Sequence, residues 1–181
     1  MSTQKTPKLL KVFVFAVDAI GHLNACVGVA QALAQRGHSI TFLVNEGFEG
    51  QFEKYGFTEI LLEKSAPPTK DGEAPAKPEN PIKEMAKNLI KYNVLGPKSP
   101  LEKMREHLET NFNMFKESMP KLNVQIEKAI EEGQPDVFIV DSFVIPTAVL
   151  KASCPWIFLC SAQPLTVFPS KGKLPPFGNG E

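Results

Sequence analysis

The sequence predicts an α/β fold, an open parallel sheet with helices packed on both faces. Three observations carry this. Continuous apolar runs rich in Val and Phe are spaced along the chain at Lys11–Val17 (KVFVFAV), Ser39–Val44 (SITFLV) and Asp136–Asp141 (DVFIVD). A strand that reads apolar without alternation is buried on both faces, as in parallel sheets. Helical periodicity fills the gaps between such runs, which is the alternation of a doubly wound sheet.

The first run opens a complete unit. After it, Ile20, Leu23, Val27, Ala30 and Ala34 recur at three- and four-residue steps, the apolar stripe of a helix. Arg36-Gly37 ends that helix, because glycine takes the left-handed position past a helix end without strain. Ser39–Val44 closes a strand–helix–strand unit, whose crossover should be right-handed. Glu46–Tyr55 predicts a short helix and Thr58–Leu62 a third strand. The proline-rich segment Ser65–Pro81 has no periodicity and predicts a long surface loop. Ile82–Leu95 predicts a helix. Leu101, Met104, Leu108, Phe112, Phe115 and Met119 form a further helical stripe, which Pro120 should break or kink before Leu122–Ile130 continues to Gly133. A fourth strand at Asp136–Asp141, a short helix at Ile145–Ala152, a fifth strand at Trp156–Cys160 and an irregular tail over 161–181 complete the chain.

Composition sets outer limits. The 181 residues make one domain of ordinary globular character, 43% apolar and 22% charged. Twenty basic and 20 acidic residues cancel, with no basic stripe, which argues against a nucleic-acid binder. No apolar run approaches the ~18 residues of a membrane span. The basic start, Met1 to Lys11, lacks the apolar core of a signal peptide. Cys26, Cys154 and Cys160 are odd in number and widely spaced, suggesting neither a disulfide framework nor a zinc site. A reduced, cytoplasmic location is the expectation.

In open α/β sheets ligands bind at the carboxyl ends of the strands, near the point where strand order reverses. Polar residues leave three strand ends: Asp18–Asn24 after the first strand, Asp141-Ser142 after the fourth, and Ser161-Ala162-Gln163 after the fifth. With a strand order of 3-2-1-4-5, His22 and Asp141 face each other across the crevice. His22 lies at the start of a helix, whose positive end disfavours imidazolium by about 0.3–1 kcal/mol when exposed. A neutral imidazole is what a general base needs. A carboxylate beside it orients the ring and stabilises the cation formed on proton uptake. The same two residues could instead serve only as helix caps. His38 reads as a turn residue and His107 as a solvated one. Gly21 and Gly28 do not make a GxGxxG loop and no GKS/T follows, so no dinucleotide or P-loop site is indicated.

Two separated blocks carry a resemblance. FVFAVDAIGHLNACVGVAQALAQRGHSITFLV resembles the N-terminus of the UDP-glycosyltransferases, family 1 of the glycosyltransferases with two Rossmann-like domains (the GT-B fold). There a strand runs into GHxN/TP, the helix carries LAxxL, and RGHxV/ITF opens the next strand. PDVFIVDSFVIPTAVLKASCPWIFLCSAQPL resembles the second N-terminal block, and LPPFGNG the Pro-rich stretch after it. Ala25 stands where the family has Pro. The absence of a leader looks more like the soluble members, or certain arthropod ones, than the membrane-anchored vertebrate ones. The resemblance implies a single Rossmann-like, acceptor-binding domain over 1–181, without the C-terminal donor domain.

By the same resemblance, His22 is the catalytic base and Asp141 its paired carboxylate. Gly21 and Ser161 line the substrate site, with Ser161 matching a small hydroxyl that touches the donor sugar. The reaction implied is transfer from a UDP-sugar to a hydroxyl of a small lipophilic acceptor, with no metal and no tightly bound cofactor. A separate donor-domain partner is one way to complete the site, and a non-catalytic lipophile binder is the alternative. The Met- and Phe-rich middle, Met85, Leu89, Leu101, Met104, Leu108, Phe112, Met114, Phe115 and Met119, suits adaptable lipophile contacts but also reads as helix core. Phe112, Phe115 and Met119 are the candidate pocket walls.

Overall fold

A computed structural model describes residues 8–63, 83, 86–87, 90 and 96–162. The predicted loop at Ser65–Pro81, most of the helix predicted at Ile82–Leu95 (Met85 and Leu89 included), and the tail beyond Ala162 lie outside the described residues.

Among the described residues the main elements follow in order: β1 Lys11–Ala16, α1 Ile20–Ala34, β2 Ser39–Asn45, β3 Thr58–Leu62, α2 Pro100–Gly133, β4 Val137–Asp141, α3 Thr147–Lys151 and β5 Trp156–Phe158. The strands form one parallel sheet of order β3-β2-β1-β4-β5. The chain therefore reverses its direction of winding between β1 and β4, which are hydrogen-bonded neighbours at the middle of the sheet.

The absence of alternation in the strands has its physical reason in the two cores. Side chains of a strand point alternately to opposite faces. Val12, Val14 and Ala16 pack with Leu23, Cys26, Val27 and Ala30 of α1 and with Ile40, Phe42 and Val44 of β2. Phe13 and Phe15 turn the other way, onto Leu43, Phe138, Val140, Ile126 and Ala129 of α2, and Ala148 and Val149 of α3. Both faces of the sheet are thus covered by helix. The fold class is the predicted one, an α/β, Rossmann-like open parallel sheet.

Four local expectations are corrected. Ile20 is exposed at the start of α1, and Cys26, one helical turn past His22, takes the core position instead. Glu46–Tyr55 is two short 3-10 turns, Glu46–Phe48 and Glu53–Tyr55, not one helix. The Glu59 carboxylate accepts from the backbone N–H groups of Gly50, Phe52 and Glu53, offering this segment partners that a continuous helix would not use. Pro120 does not end its helix, since α2 runs through it to Gly133. Pro120 is exposed, and the burial of Ile126 and Ala129 beyond it holds the second half against the sheet. Finally, the described members of the Leu101–Met119 stripe are not among the buried core residues. Leu101 and Phe112 are exposed, and α2 packs through Leu122, Ile126, Ala129 and Ile130.

The ends of α2 follow elementary rules. Ser99 and Glu102 form a reciprocal capping box ahead of Pro100 at the first helical position. At the other end Gly133 lies so close to Phe13 that an added Cβ would clash with the Cζ tip of its ring. Gly37 takes φ +89° after α1, as its placement predicts.

Candidate active site

Register brings the site together. Ala16, the last residue of β1, is level with Asp141, the last of β4, and Val17 N–H donates to the Asp141 carbonyl at 2.9 Å. Asp141 shares its strand face with Ile139, which packs in the core beneath α1. Its carboxylate is therefore directed toward α1, where His22 and Cys26 occupy one face, four residues apart. Strand pairing continues past β5, where Leu159 N–H donates to the Val140 carbonyl, and so carries Ser161 to the same edge.

The result is a three-residue cluster on one imidazole nitrogen. His22 Nδ1 lies 3.1 Å from Asp141 Oδ1 and 2.9 Å from Ser161 Oγ. Asp141 is only 3% exposed, and its second oxygen, Oδ2, has no hydrogen-bond partner among the described residues. The His22 side chain is 17% exposed. Both partners occupy Nδ1, so Nε2 on the opposite edge of the ring is left to meet a ligand.

The arrangement decides between chemistries. Ser, His and Asp are the residue types of a hydrolytic triad. In such a triad the serine bonds Nε2 while the acid holds Nδ1. Here serine and acid share Nδ1, so the imidazole cannot take a proton from Ser161 through Nε2 while Asp141 holds Nδ1. The cluster therefore lacks the geometry of a serine-nucleophile triad.

Cys26 is buried on the α1 face that also carries His22. Burial, and then the negative charge of Asp141, push its thiol up to about 12, so it remains protonated beside the carboxylate. Gly21 is exposed in the first turn of α1, and a Cβ there would meet nothing. The α1 N-cap, Ala19, offers no side-chain acceptor to the first-turn N–H groups, and the first turn itself holds no acidic residue.

One site residue escaped the sequence reading. Phe143 is 57% exposed and stands edge-to-face on His22, ring centroids 5.6 Å apart. Ser142, buried beneath it, donates to the Val144 carbonyl and sets the turn that presents the ring. The available signal was an aromatic residue two positions past the strand-ending Asp, in a loop at the carboxyl edge. The structure thus unites His22, Asp141, Ser161 and Phe143, with Gly21 adjacent. Phe112, Phe115 and Met119 lie on α2 and belong to neither buried cluster; Phe112 is exposed. The Met104, Leu108 and Met114 side chains lie outside the described residues. His38 is structural, its Nδ1 accepting from Leu10 N–H at 3.1 Å. Among the described residues no group of three or more side chains could hold a metal ion, and no helix is long and apolar enough to cross a membrane.

No protein-family model matches the chain, and no curated protein matches it. Solved structures do. A crystal structure described as the glycotransferase of kitacinnamycin superposes with TM-score 0.53 at 21% identity, over 84% of this chain and 30% of that one. SnogD, a glycosyltransferase from Streptomyces nogalater, matches at TM-score 0.47 and 14% identity, over 84% of this chain and 35% of its own. SsfS6, a glycosyltransferase of Streptomyces sp. SF2575, matches at 0.47 and 16%, over 82% and 38%. The chain spans about a third of the length of these structures. Its sheet order, with β1 beside β4 and helices on both faces, is the Rossmann-like fold found over that third of a GT-B glycosyltransferase.

Proposed function

We propose that the chain is the acceptor-binding part of an inverting UDP-glycosyltransferase, with His22 as its general base. The single observation that carries the proposal is the His22–Asp141 pair at the crevice where strand order reverses, with Nδ1 engaged and Nε2 available. The resemblance of the two sequence blocks and the fold match support it.

The Asp141 carboxylate accepts from Nδ1–H and holds the ring in the tautomer whose Nε2 lone pair is unprotonated. An acceptor hydroxyl at Nε2 gives up its proton there as its oxygen attacks the anomeric carbon of the sugar. The bond from that carbon to the UDP oxygen breaks, the configuration inverts, and the electron pair leaves on UDP. Asp141 stabilises the imidazolium so formed. Phe143 offers an exposed aromatic face to a lipophilic acceptor, while the uridine diphosphate is held by the donor-binding part, in further sequence or on a separate subunit.

The test is His22→Ala in the assembled transferase, scored by transfer from a UDP-sugar to an alcohol acceptor. A general base contributes about 10²–10⁴-fold, and a loss of that size is expected. Near-full transfer by the variant would sink the role. The second reading, a non-catalytic binder of small lipophiles, draws on the exposed Phe143 ring beside His22. On the 181-residue chain alone, UDP-glucose should show no tight binding by calorimetry; saturable tight binding contradicts the division of labour proposed here.

A further inference from the structure

We infer that a groove at the amino edge of the sheet, between the end of α1 and the turn before β3, binds small uncharged aromatic amides. Gln31 and Ala34 of α1, Gln35 at its C-cap, and Tyr55 and Phe57 line the groove, whose volume is about 350 Å³. That volume falls within the range of small-molecule sites. The groove lies at the opposite end of α1 from His22, about 14–20 Å away along the axis at 1.5 Å per residue. It is separate from the carboxyl-edge crevice and does not depend on the role given to His22.

Its floor is the end of an aromatic stack. The Phe42 and Phe52 rings are parallel within 9°, their centroids 4.5 Å apart, and Phe57 lies on Phe42 at 5.5 Å and 22°. All three are buried. Tyr55 follows at 5.9 Å from Phe57, tilted by 34°, and is 40% exposed. The stack thus leaves the core and stops at an open ring. Offset aromatic pairs gain beyond the area they bury, so a further ring is the natural continuation. Tyr55 is held ready for it. Its N–H donates to the Phe52 carbonyl at 3.0 Å, and the Glu59 carboxylate ties down the Phe52 and Glu53 N–H groups. A preset wall lowers the ordering cost of binding.

The remaining lining selects the polar part of the ligand. None of the five lining side chains is charged. Lys54 stands 5.0 Å from the Tyr55 ring centroid but does not line the groove. An ionised ligand would give up water without meeting a counter-charge, whereas a neutral one gives up less. Gln31 and Gln35 are one helical turn apart, with Cβ atoms about 5–6 Å from each other. Both are exposed, and among the described residues neither carboxamide is engaged in a hydrogen bond. Each can donate or accept by turning its amide. A primary amide on a flat ring presents one acceptor and two donors, which two such groups can meet while the ring lies against Tyr55. A bare ring would leave the carboxamides to water, and an aliphatic amide would forfeit the stack.

The test is an NMR titration of the 181-residue chain with two probes. Benzamide is the first; acetophenone, of the same shape but with a methyl group in place of the amide nitrogen, is the second. Benzamide should bind saturably in the millimolar range and move the Gln31 and Gln35 side-chain NH₂ signals and the Tyr55 ring signals. The chain has two tyrosines, so the ring is assigned by a single substitution. Tyr55→Phe keeps the ring and should hold benzamide affinity within about twofold, while Tyr55→Ala should weaken it roughly fivefold. Replacing both glutamines, Gln31→Leu with Gln35→Leu, should lower the ratio of benzamide to acetophenone affinity roughly fivefold, the loss of one ordinary hydrogen bond. All three positions are exposed, and an unchanged Tm checks that each variant is folded. Four results overturn the inference: no saturation, shifts that gather on Phe143 and His22 instead of the groove, equal losses in Tyr55→Phe and Tyr55→Ala, or an unchanged affinity ratio in the glutamine double variant.

Discussion

Removing His22 should cost stability as well as catalysis, because it strands a charge. Asp141 is 3% exposed and makes its hydrogen bond through Oδ1 to His22; Oδ2 has none. His22→Ala leaves the whole carboxylate without a partner. Breaking a fully buried pair from one side costs about 3–5 kcal/mol. The His22 side chain is 17% exposed, so water can enter the space left by the ring and part of that penalty is recovered. An unsatisfied buried group costs about 1–3 kcal/mol, and about 2 kcal/mol is the expected loss. For a chain of this size that is a drop of roughly 4–8 °C in Tm. Asp141→Ala behaves differently. It loses one charge-assisted bond and also the cost of burying the carboxylate, and His22 keeps Ser161 within reach. Its expected change is within about 1 kcal/mol of the parent. The double variant should therefore be more stable than His22→Ala alone. Urea unfolding at neutral pH, followed by circular dichroism with a common slope, measures all three. A His22→Ala cost below about 0.5 kcal/mol, or strictly additive losses in the double variant, would refute the reasoning.

Other expectations follow from the same coordinates. Gly133→Ala forces a Cβ against the Cζ tip of the Phe13 ring and should cost about 1–3 kcal/mol by overpacking, measured by thermal unfolding. Cys26, its thiol pushed up to about 12 by burial and then by Asp141, should resist iodoacetamide at pH ~8 in the folded chain and react once unfolded, as read by mass spectrometry. Asp136 has its carboxyl lowered below the ordinary 3.8, first by the Lys11 backbone N–H and then by Lys8. A depressed folded-state value contributes stability that is present above the unfolded value and lost as pH falls through the folded one. Asp136→Asn should thus lower Tm at neutral pH, with the gap to the parent closing in acid below about pH 4. Phe143→Ala removes an exposed ring seated on His22 and should weaken a flavonol probe several-fold in a fluorescence titration, with Tm unchanged.

Much of the site was legible before any coordinates. His22 stood at the strand-to-helix turn and Asp141 at the end of an apolar strand, and the carboxyl-edge rule for open sheets joined them. Ser161 was picked for its place after the fifth strand, yet its seat on His22 Nδ1 was not, because that depends on pairing between β4 and the residues beyond β5. Phe143 was invisible for a similar reason. One Phe among 13 has no distinguishing mark until the Ser142 turn aims it. The α2 stripe misled because periodicity reports an amphipathic helix but not which half of a long helix meets the sheet. The second half does, since Ile126 and Ala129 reach the sheet while Leu101 and Phe112 do not.

By itself the sequence determined the alternation of strand and helix, because burial on both faces writes itself into unbroken apolar runs, and it placed polar residues at the strand ends. Tertiary structure alone decided how those ends combine. Parallel register set Ala16 beside Asp141, and the common face of Ile139 and Asp141 turned the carboxylate under α1. Continued pairing past β5 then brought a serine to the same nitrogen. These are contacts between residues more than a hundred positions apart, and their geometry resides in the sheet rather than in any local pattern of the chain.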